Sequence, residues 1–401
     1  MKIPIFCVNA SDKCEHKYSS LPTSFGFDHL NKHSFEKEKN FKKFNYVAIN
    51  TEALPLYGHP HIRAVADKIK RNSENSLLYS KKIIEHCEKN FEYVNDSEEA
   101  IMVYPMGLRS PAEIYIERRD FLANNKKLPS NYKDSPNALD HVQDFKTVFY
   151  ETFKHRKIYS FTYTIGGIWR INEVDKDIIR TSDYHWNDNT FKQDTFDHGL
   201  NIENIFSYQT HLYKSKRNIN EYPLPAIFED VFDNNYITQE KFNIGFCGAK
   251  HFDRDKILNK LKKTKYKTNF ITTINGNTGT KDFSLRNRFY KNIQDNLFTF
   301  CMRGGANFCW RFYETLMMGR VPILVESDRC FLFEDHGVNI NDVCVLISQK
   351  DKLKDIESKI DNFISNNNML EIQKHNRWVW ETYCSPIGII NDFISRVKEN
   401  N

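Results

Sequence analysis

Short apolar runs alternate with longer amphipathic stretches along the 401-residue chain. In the second half the alternation is regular. Residues 242–247 (FNIGFC), 267–273, 297–302 (LFTFCM), 321–326 (VPILVE) and 343–347 read as buried strands. Between and after them, residues 254–261, 286–293, 307–318, 355–364, 370–383 and 386–397 space their apolar side chains as helices do. Asp253 is placed to cap the first of these helices, whose Ile257, Leu258 and Leu261 share a face. Ser284 is placed to cap the second, and Gly319 to stop the third. Strand and helix in strict turn predict a parallel sheet wrapped by helices.

The first half is less regular. Strands are expected at 3–8, 44–49, 100–104, 157–164 and 177–182, and helices at 60–69, with Pro60 at the first helical position, and at 144–152. Residues 122–142 and 183–200 are polar and aperiodic, as surface or functional loops are. Pro, Asn and Asp at 221–226 and 233–239 mark a linker. The expected division is therefore residues 1–236, residues 237–385, and a closing helix from 386 to 401, with no internal repeat and no low-complexity tract.

Composition narrows the class. With 40% hydrophobic and 14% aromatic residues the chain can bury full cores, which excludes a disordered protein. The net charge of +5 is mild; it suits an anionic small molecule or an anionic membrane surface and does not call for nucleic acid. A lysine-rich stretch at 256–267 is the solvated side of a helix with an apolar face. Nine cysteines without CxxC pairs read as reduced, buried thiols. Cys7, Cys14 and His16 match no zinc spacing, so no metal site is expected. No stretch reaches the ~18 apolar residues of a membrane span, and no signal peptide is legible. A cytoplasmic protein is expected, with peripheral contact to a membrane face compatible with its charge.

The chemistry concentrates in residues 297–326. Arg303 ends an apolar strand; Gly304 and Gly305 let an anion approach the backbone; Asn307 is placed to cap the next helix. Arg311 and Glu314 follow three residues apart on one helix face, either as a salt bridge or as a cation and a ribose-binding carboxylate. Trp310, Tyr313 and Met317 form a core stripe. A second turn, Gly248-Ala249-Lys250 with Arg254 beyond it, repeats the arrangement of strand end, small residue and helix start. Both are anion sites of the kind found at helix N-termini.

The run CMRGGANFCWRFYETLMMGRVPIL resembles the signature of exostosin-type glycosyltransferases. Arg303-Gly304, Arg311, Tyr313-Glu314, Gly319 and Pro322 match its spacings without a gap; FNIGFCGA, Arg254 and Tyr290 resemble the strand–turn–helix upstream of it. The likeness covers about residues 240–335. Met302 stands where the family has proline and Cys309 where it has serine, which removes a hydroxyl that could touch the donor. The resemblance implies a GT-B-like α/β fold: two Rossmann-like domains facing across a cleft, a nucleotide-sugar on the C-terminal one, and a last helix crossing back. It implies transfer from a nucleotide-diphosphate sugar, expected to be a UDP-sugar, to a glycan or other hydroxyl acceptor, as in surface polysaccharide or glycoconjugate synthesis. Gly248, Lys250, Arg254, Arg303, Gly304, Gly305, Asn307, Arg311 and Glu314 would hold the donor, Glu314 by its ribose. No metal is required, since arginines and helix dipoles can carry the leaving charge and no Asp-x-Asp motif is placed to hold an ion. If the anomeric carbon inverts, a base must deprotonate the acceptor. Glu113, Asp183 and His185 are the candidates, ahead of His59 and His61. A non-turning-over nucleotide- or carbohydrate-binding protein is the alternative; a nucleic-acid binder ranks last.

Overall fold

The structure is a computed structural model. It describes residues 3–7, 82, 85–86, 89–93, 101–104, 157–162, 169–171, 178–180, 205–209, 212–217, 219–226, 230–238, 242–249, 254–273, 283–303 and 307–400. The expected strand at 44–49, the helices at 60–69 and 144–152, and the loops at 122–142 and 183–200 lie outside these residues.

The chain divides into two α/β units. In the first, strands β1 (Ile3–Cys7), β2 (Phe91–Tyr93), β3 (Ile101–Tyr104), β4 (Ile158–Thr162), β7 (Ile205–Gln209) and β8 (Glu221–Pro223) form one sheet in the order β2-β1-β3-β4-β7-β8. Its β1–β2, β1–β3, β3–β4 and β4–β7 pairs are parallel. Two short strands, β5 (Trp169–Ile171) and β6 (Ile178–Arg180), pair antiparallel apart from it. Aromatic rings join the last three strands of the sheet: Tyr159 stacks on Phe206 with centroids 4.8 Å apart, and Tyr222 lies 5.2 Å from Tyr208. Residues 221–223, expected as linker, are thus a buried strand, because Tyr222 supplies a large apolar face that turn residues around it conceal.

The second unit takes in His59–His86, Thr210–Arg217 and Pro223–Asn401. The last crossing between the units falls between Tyr222 and Pro223. Asp230 is bonded within the second unit: both its oxygens accept from Arg377, at 2.8 and 2.6 Å. Strands β9 (Ile244–Ala249), β10 (Thr268–Thr273), β11 (Phe298–Cys301), β12 (Val321–Val325) and β13 (Val345–Ile347) are all parallel, in the order β10-β9-β11-β12-β13. The helices are α1 (Arg254–Leu261), α2 (Phe283–Gln294), α3 (Trp310–Met317), α4 (Leu332–Asp335), α5 (Ile340–Val343), α6 (Leu353–Asn366), α7 (Met369–Val379) and α8 (Pro386–Asn400). One π-helical turn, Trp380–Cys384, joins α7 to α8. Each strand and helix expected for this half is observed, and α4 and α5 are additional. Three local expectations change. Gly248 and Ala249 belong to β9, so the turn starts later; α2 already begins at Phe283, so Ser284 is inside it; and α3 begins at Trp310 with Cys309, not Asn307, at its N-cap.

The strands alternate with period two and are covered on both faces. Ile244, Phe246, Phe298, Phe300, Val321 and Ile323 face one core with Ile257, Leu258 and Leu261 of α1 and Ile356 and Ile360 of α6. Cys247, Cys301 and Leu324 face the other, with Phe289 and Ile293 of α2 and Phe312, Tyr313, Leu316 and Met317 of α3. Tyr313 and Met317 are fully buried core, as their stripe predicts; Trp310 is half-buried. Two parallel-sheet α/β units make the fold class α/β and GT-B-like. α8 is tied to α4 within its own unit, through Arg396 to Asp335 at 3.0 Å and His336 to Asp392 at 2.7 Å.

Gly319 ends α3 with φ of +58°, and a Cβ there would meet the Gln373 carbonyl oxygen and the Tyr236 ring at 2.9 Å each. Gly319→Ala is expected to cost about 1–3 kcal/mol, from the left-handed backbone and the clash together. Urea denaturation checks it: the midpoint falls while the slope is unchanged.

Candidate active site

In the second sheet β9 and β11 are neighbours, yet the helices that follow them pack on opposite faces, α1 on one core and α3 on the other. An order of 2-1-3-4-5 reverses direction at this pair, and an open α/β sheet binds ligands outside the strand ends at such a point. Each of the two helices brings one arginine there from its first turn.

Arg254, the first residue of α1, is 8% exposed. Its Nη1 donates to the Ala249 carbonyl at 3.0 Å, at the end of β9. Its Nη2 donates to the Arg303 carbonyl at 2.8 Å and reaches the Met302 carbonyl at 3.4 Å, just past β11. One guanidinium therefore fastens the ends of the two strands together. Burial, and after it the charge of Arg311, bring its pKa down to about 10, so it stays charged at neutral pH. Arg311, in the first turn of α3, is 9% exposed. Its Nη2 donates to the Cys247 carbonyl on β9, and its guanidinium carbon lies 4.5 Å from the Phe246 ring centroid and 5.1 Å from that of Phe289. The group thus turns to the strand and not into an ion pair along its own helix. Among the described residues the Nε atoms of Arg254 and Arg311 are both buried without an acceptor. Gly248 makes the approach possible, since a Cβ there would sit 2.6 Å from Arg311 Nη2.

The remaining expected residues are distributed as follows. Arg303 is partly buried directly after β11. Glu314, one turn on from Arg311, is 1% exposed. Asn307 is 1% exposed and does not cap α3; its Nδ2 donates 3.0 Å to the Asp328 carbonyl and pins the β11–α3 connection to the one after β12. Cys309 at the N-cap makes no capping bond with its side chain. Its thiol pKa is lowered, first by contact with the Cys301 thiol and then by the charges of Arg311 and Arg254. Burial pushes Cys301 the other way. Tyr290 packs beside Phe289 with centroids 5.8 Å apart. Lys250, Gly304, Gly305, Glu113, Asp183, His185, His59 and His61 lie outside the described residues. Among the described residues no group of three His, Cys, Asp or Glu side chains could hold a metal ion, and no helix is long and apolar enough to cross a membrane.

Sequence reasoning missed Arg329, which is 5% exposed and packed among Phe308, Tyr313 and Phe331. Only Phe331 is near it in sequence, so no local pattern marks the cluster.

No protein-family model matches the chain, and no curated protein does. Among solved structures it is similar to the GtfA/B complex at 10% identity and a TM-score of 0.35, over 64% of this chain and 55% of that one. It is also similar to a glycosyltransferase from Rickettsia africae ESF-5 at 11% identity and a TM-score of 0.35, over 80% of this chain and 88% of that one. The chain thus spans about half the length of the first. Likenesses this distant carry neither substrate nor mechanism.

Gly248→Ala is expected to push Arg311 off the Cys247 carbonyl and cost about 1–3 kcal/mol, as overpacking beside a buried charge does. Denaturation measures the loss; an unchanged midpoint would mean that Arg311 is not held against β9.

Proposed function

We propose that the protein is a glycosyltransferase that uses a nucleotide-diphosphate sugar. The observation that supports this most is the Arg254–Arg311 pair. Two like charges are buried within electrostatic reach of each other at the strand switch, and neither makes an ion pair with a described carboxylate. Buried charge without a counter-charge is costly, and an anion outside the strand ends lowers that cost. A diphosphate fits the demand in charge and in place.

In this reading Arg303 touches the diphosphate, helped by Gly304 and Gly305. Arg254 holds the Arg303 carbonyl and so sets where that residue leaves the strand, while Arg311 and Gly248 supply positive potential from beneath. The acceptor hydroxyl oxygen bonds to the anomeric carbon as the bond from that carbon to the diphosphate oxygen breaks. The nucleotide diphosphate leaves with the electron pair, and the fixed positive charges stabilise it most in the transition state. Glu314 is assigned to the ribose hydroxyls; its carboxylate is covered in the free chain, so binding there requires local opening. Glu113, Asp183 and His185 are the residues from which an acceptor base would come. The proposed donor is a UDP-sugar and the proposed acceptor a hydroxyl of a glycan or glycoconjugate, at the cytoplasmic face of a membrane or free in the cytoplasm.

Thermal-shift measurement with UDP and GDP tests the site. UDP is expected to raise the melting temperature, and Arg303→Ala to remove most of that rise. If neither nucleotide stabilises the protein, the assignment fails. Release of UDP from UDP-sugars then separates turnover from binding alone; stabilisation without release under any acceptor identifies a binding protein.

A further inference from the structure

The second unit buries several arginines, and it satisfies them in different ways. Arg320, 2% exposed, donates to the carbonyls of Gln294, Met318 and Asn235 and to Gln373 Oε1, at 2.8–3.2 Å. Arg377 is paired with both oxygens of Asp230, with Glu381 at 2.7 Å and with the Met317 carbonyl at 2.7 Å. Arg329 is different. It follows β12, at the carboxyl edge of the sheet, and is 5% exposed. A guanidinium carries five N–H groups. Among the described residues, the one hydrogen bond from the Arg329 side chain runs from Nη2 to the phenolic oxygen of Tyr313, at 2.7 Å, a neutral acceptor. Its Nε and Nη1 are buried with no acceptor among the described residues, and it makes no ion pair with a described carboxylate. Three rings surround it, with centroids 4.2 Å (Phe308), 5.0 Å (Tyr313) and 5.0 Å (Phe331) from the guanidinium carbon.

Its backbone is held as firmly as the side chain is under-satisfied. Arg329 bridges to Tyr213 across an isolated antiparallel pair. The Asp328 carbonyl beside it accepts from Asn307 Nδ2 at 3.0 Å and from the Lys214 amide at 3.2 Å. These bonds fix the cage to the connection between β11 and α3, which carries Arg303. The rings offset part of the cost of the charge, since a cation over an aromatic face gains about 0.5–2 kcal/mol. They offer nothing to Nε and Nη1, whose N–H groups point to different sides of the planar group and have no acceptor among the described residues.

From this geometry we propose that Arg329 is a ligand-binding residue that takes an oxyanion through N–H groups its cage leaves unmet, and that the oxyanion is a phosphate of the nucleotide bound at the same strand edge. The inference rests on the nucleotide-sugar reading for the identity of the ligand, not for the existence of an anion site. Access requires the Phe308 ring, 6% exposed and on the β11–α3 connection, to move aside.

A purely structural Arg329 and a ligand-binding one respond oppositely to substitution. Replacing an uncompensated buried charge with an apolar side chain of similar volume is neutral or stabilising, whereas removing a structural cation from its cage loosens the core. Arg329→Met is therefore expected to leave the melting temperature of the free full-length protein equal or higher, and to weaken UDP binding at least about tenfold, the loss of one charge-assisted contact. Arg329→Lys, which keeps the charge without the fork, is expected to fall between. A lower unliganded melting temperature with UDP affinity unchanged in Arg329→Met overturns the proposal, as does equal affinity in all three proteins. Should Arg329→Met not fold, Arg329→Lys decides: undiminished UDP affinity overturns the proposal and a several-fold loss supports it. If wild-type protein binds no nucleotide, the nucleotide-sugar reading has failed separately. Inorganic phosphate is then the probe: stabilisation of wild type but not of Arg329→Met supports the anion site, and equal response in both removes it.

Discussion

The hydrogen bonds from Arg254 to Ala249 on one side and to Arg303 on the other hold the C-terminal unit's strand switch closed. A parallel sheet whose strand order reverses between β9 and β11 leaves the ends of these strands without a covering helix. Carbonyls at strand ends need donors, and a buried guanidinium supplies several in one plane. The rest of the site follows from this. Arg303 leaves β11 where Arg254 holds its carbonyl. Arg311 comes from the opposite face to the Cys247 carbonyl, and Gly248 has to be glycine to admit it.

The buried arginines form a graded series. Arg377 is neutralised by carboxylates, Arg320 is met by carbonyls and an amide oxygen, Arg254 by carbonyls with Nε left over, Arg311 by one carbonyl and two rings, and Arg329 by three rings and a phenol. Those best satisfied join structural elements: Arg377 links α7 to Asp230, and Arg320 links Asn235, Gln294 and Gln373. Those least satisfied stand at the carboxyl edge of the sheet. That gradient, from structural joint to unmet charge, is why the functional reading is placed at β9, β11 and β12.

Much of the C-terminal unit was legible in its periodicity. Strands such as 297–302 and 321–326 are apolar on both sides and too short for helices, and α1, α6 and α8 show clear faces. The first half was less so. Strands β2, β5 and β7 are three to five residues long, and such pieces have no period of their own. The strand at Glu221–Pro223 was hidden by the prolines beside Tyr222. Helix ends were also missed locally: a serine at 284 and an asparagine at 307 have capping chemistry, but Ser284 is inside its helix and Asn307 is drawn to the Asp328 carbonyl.

By itself the sequence determined the α/β alternation, the position of Arg303 at a strand end and of Arg254 and Arg311 on the helices that follow, and the glycine stop after α3. These depend on local rules: side-chain period, backbone freedom and capping. Only the tertiary structure decided what the arginines do. Arg254 contacts residues 5 and 49 positions away, Arg311 one 64 positions away, and Arg329 pairs with Tyr313 across 16. Which acceptor a guanidinium finds, and which of its nitrogens are left without one, depends on strand order and on the faces to which the helices cross. Neither is written in the neighbouring residues.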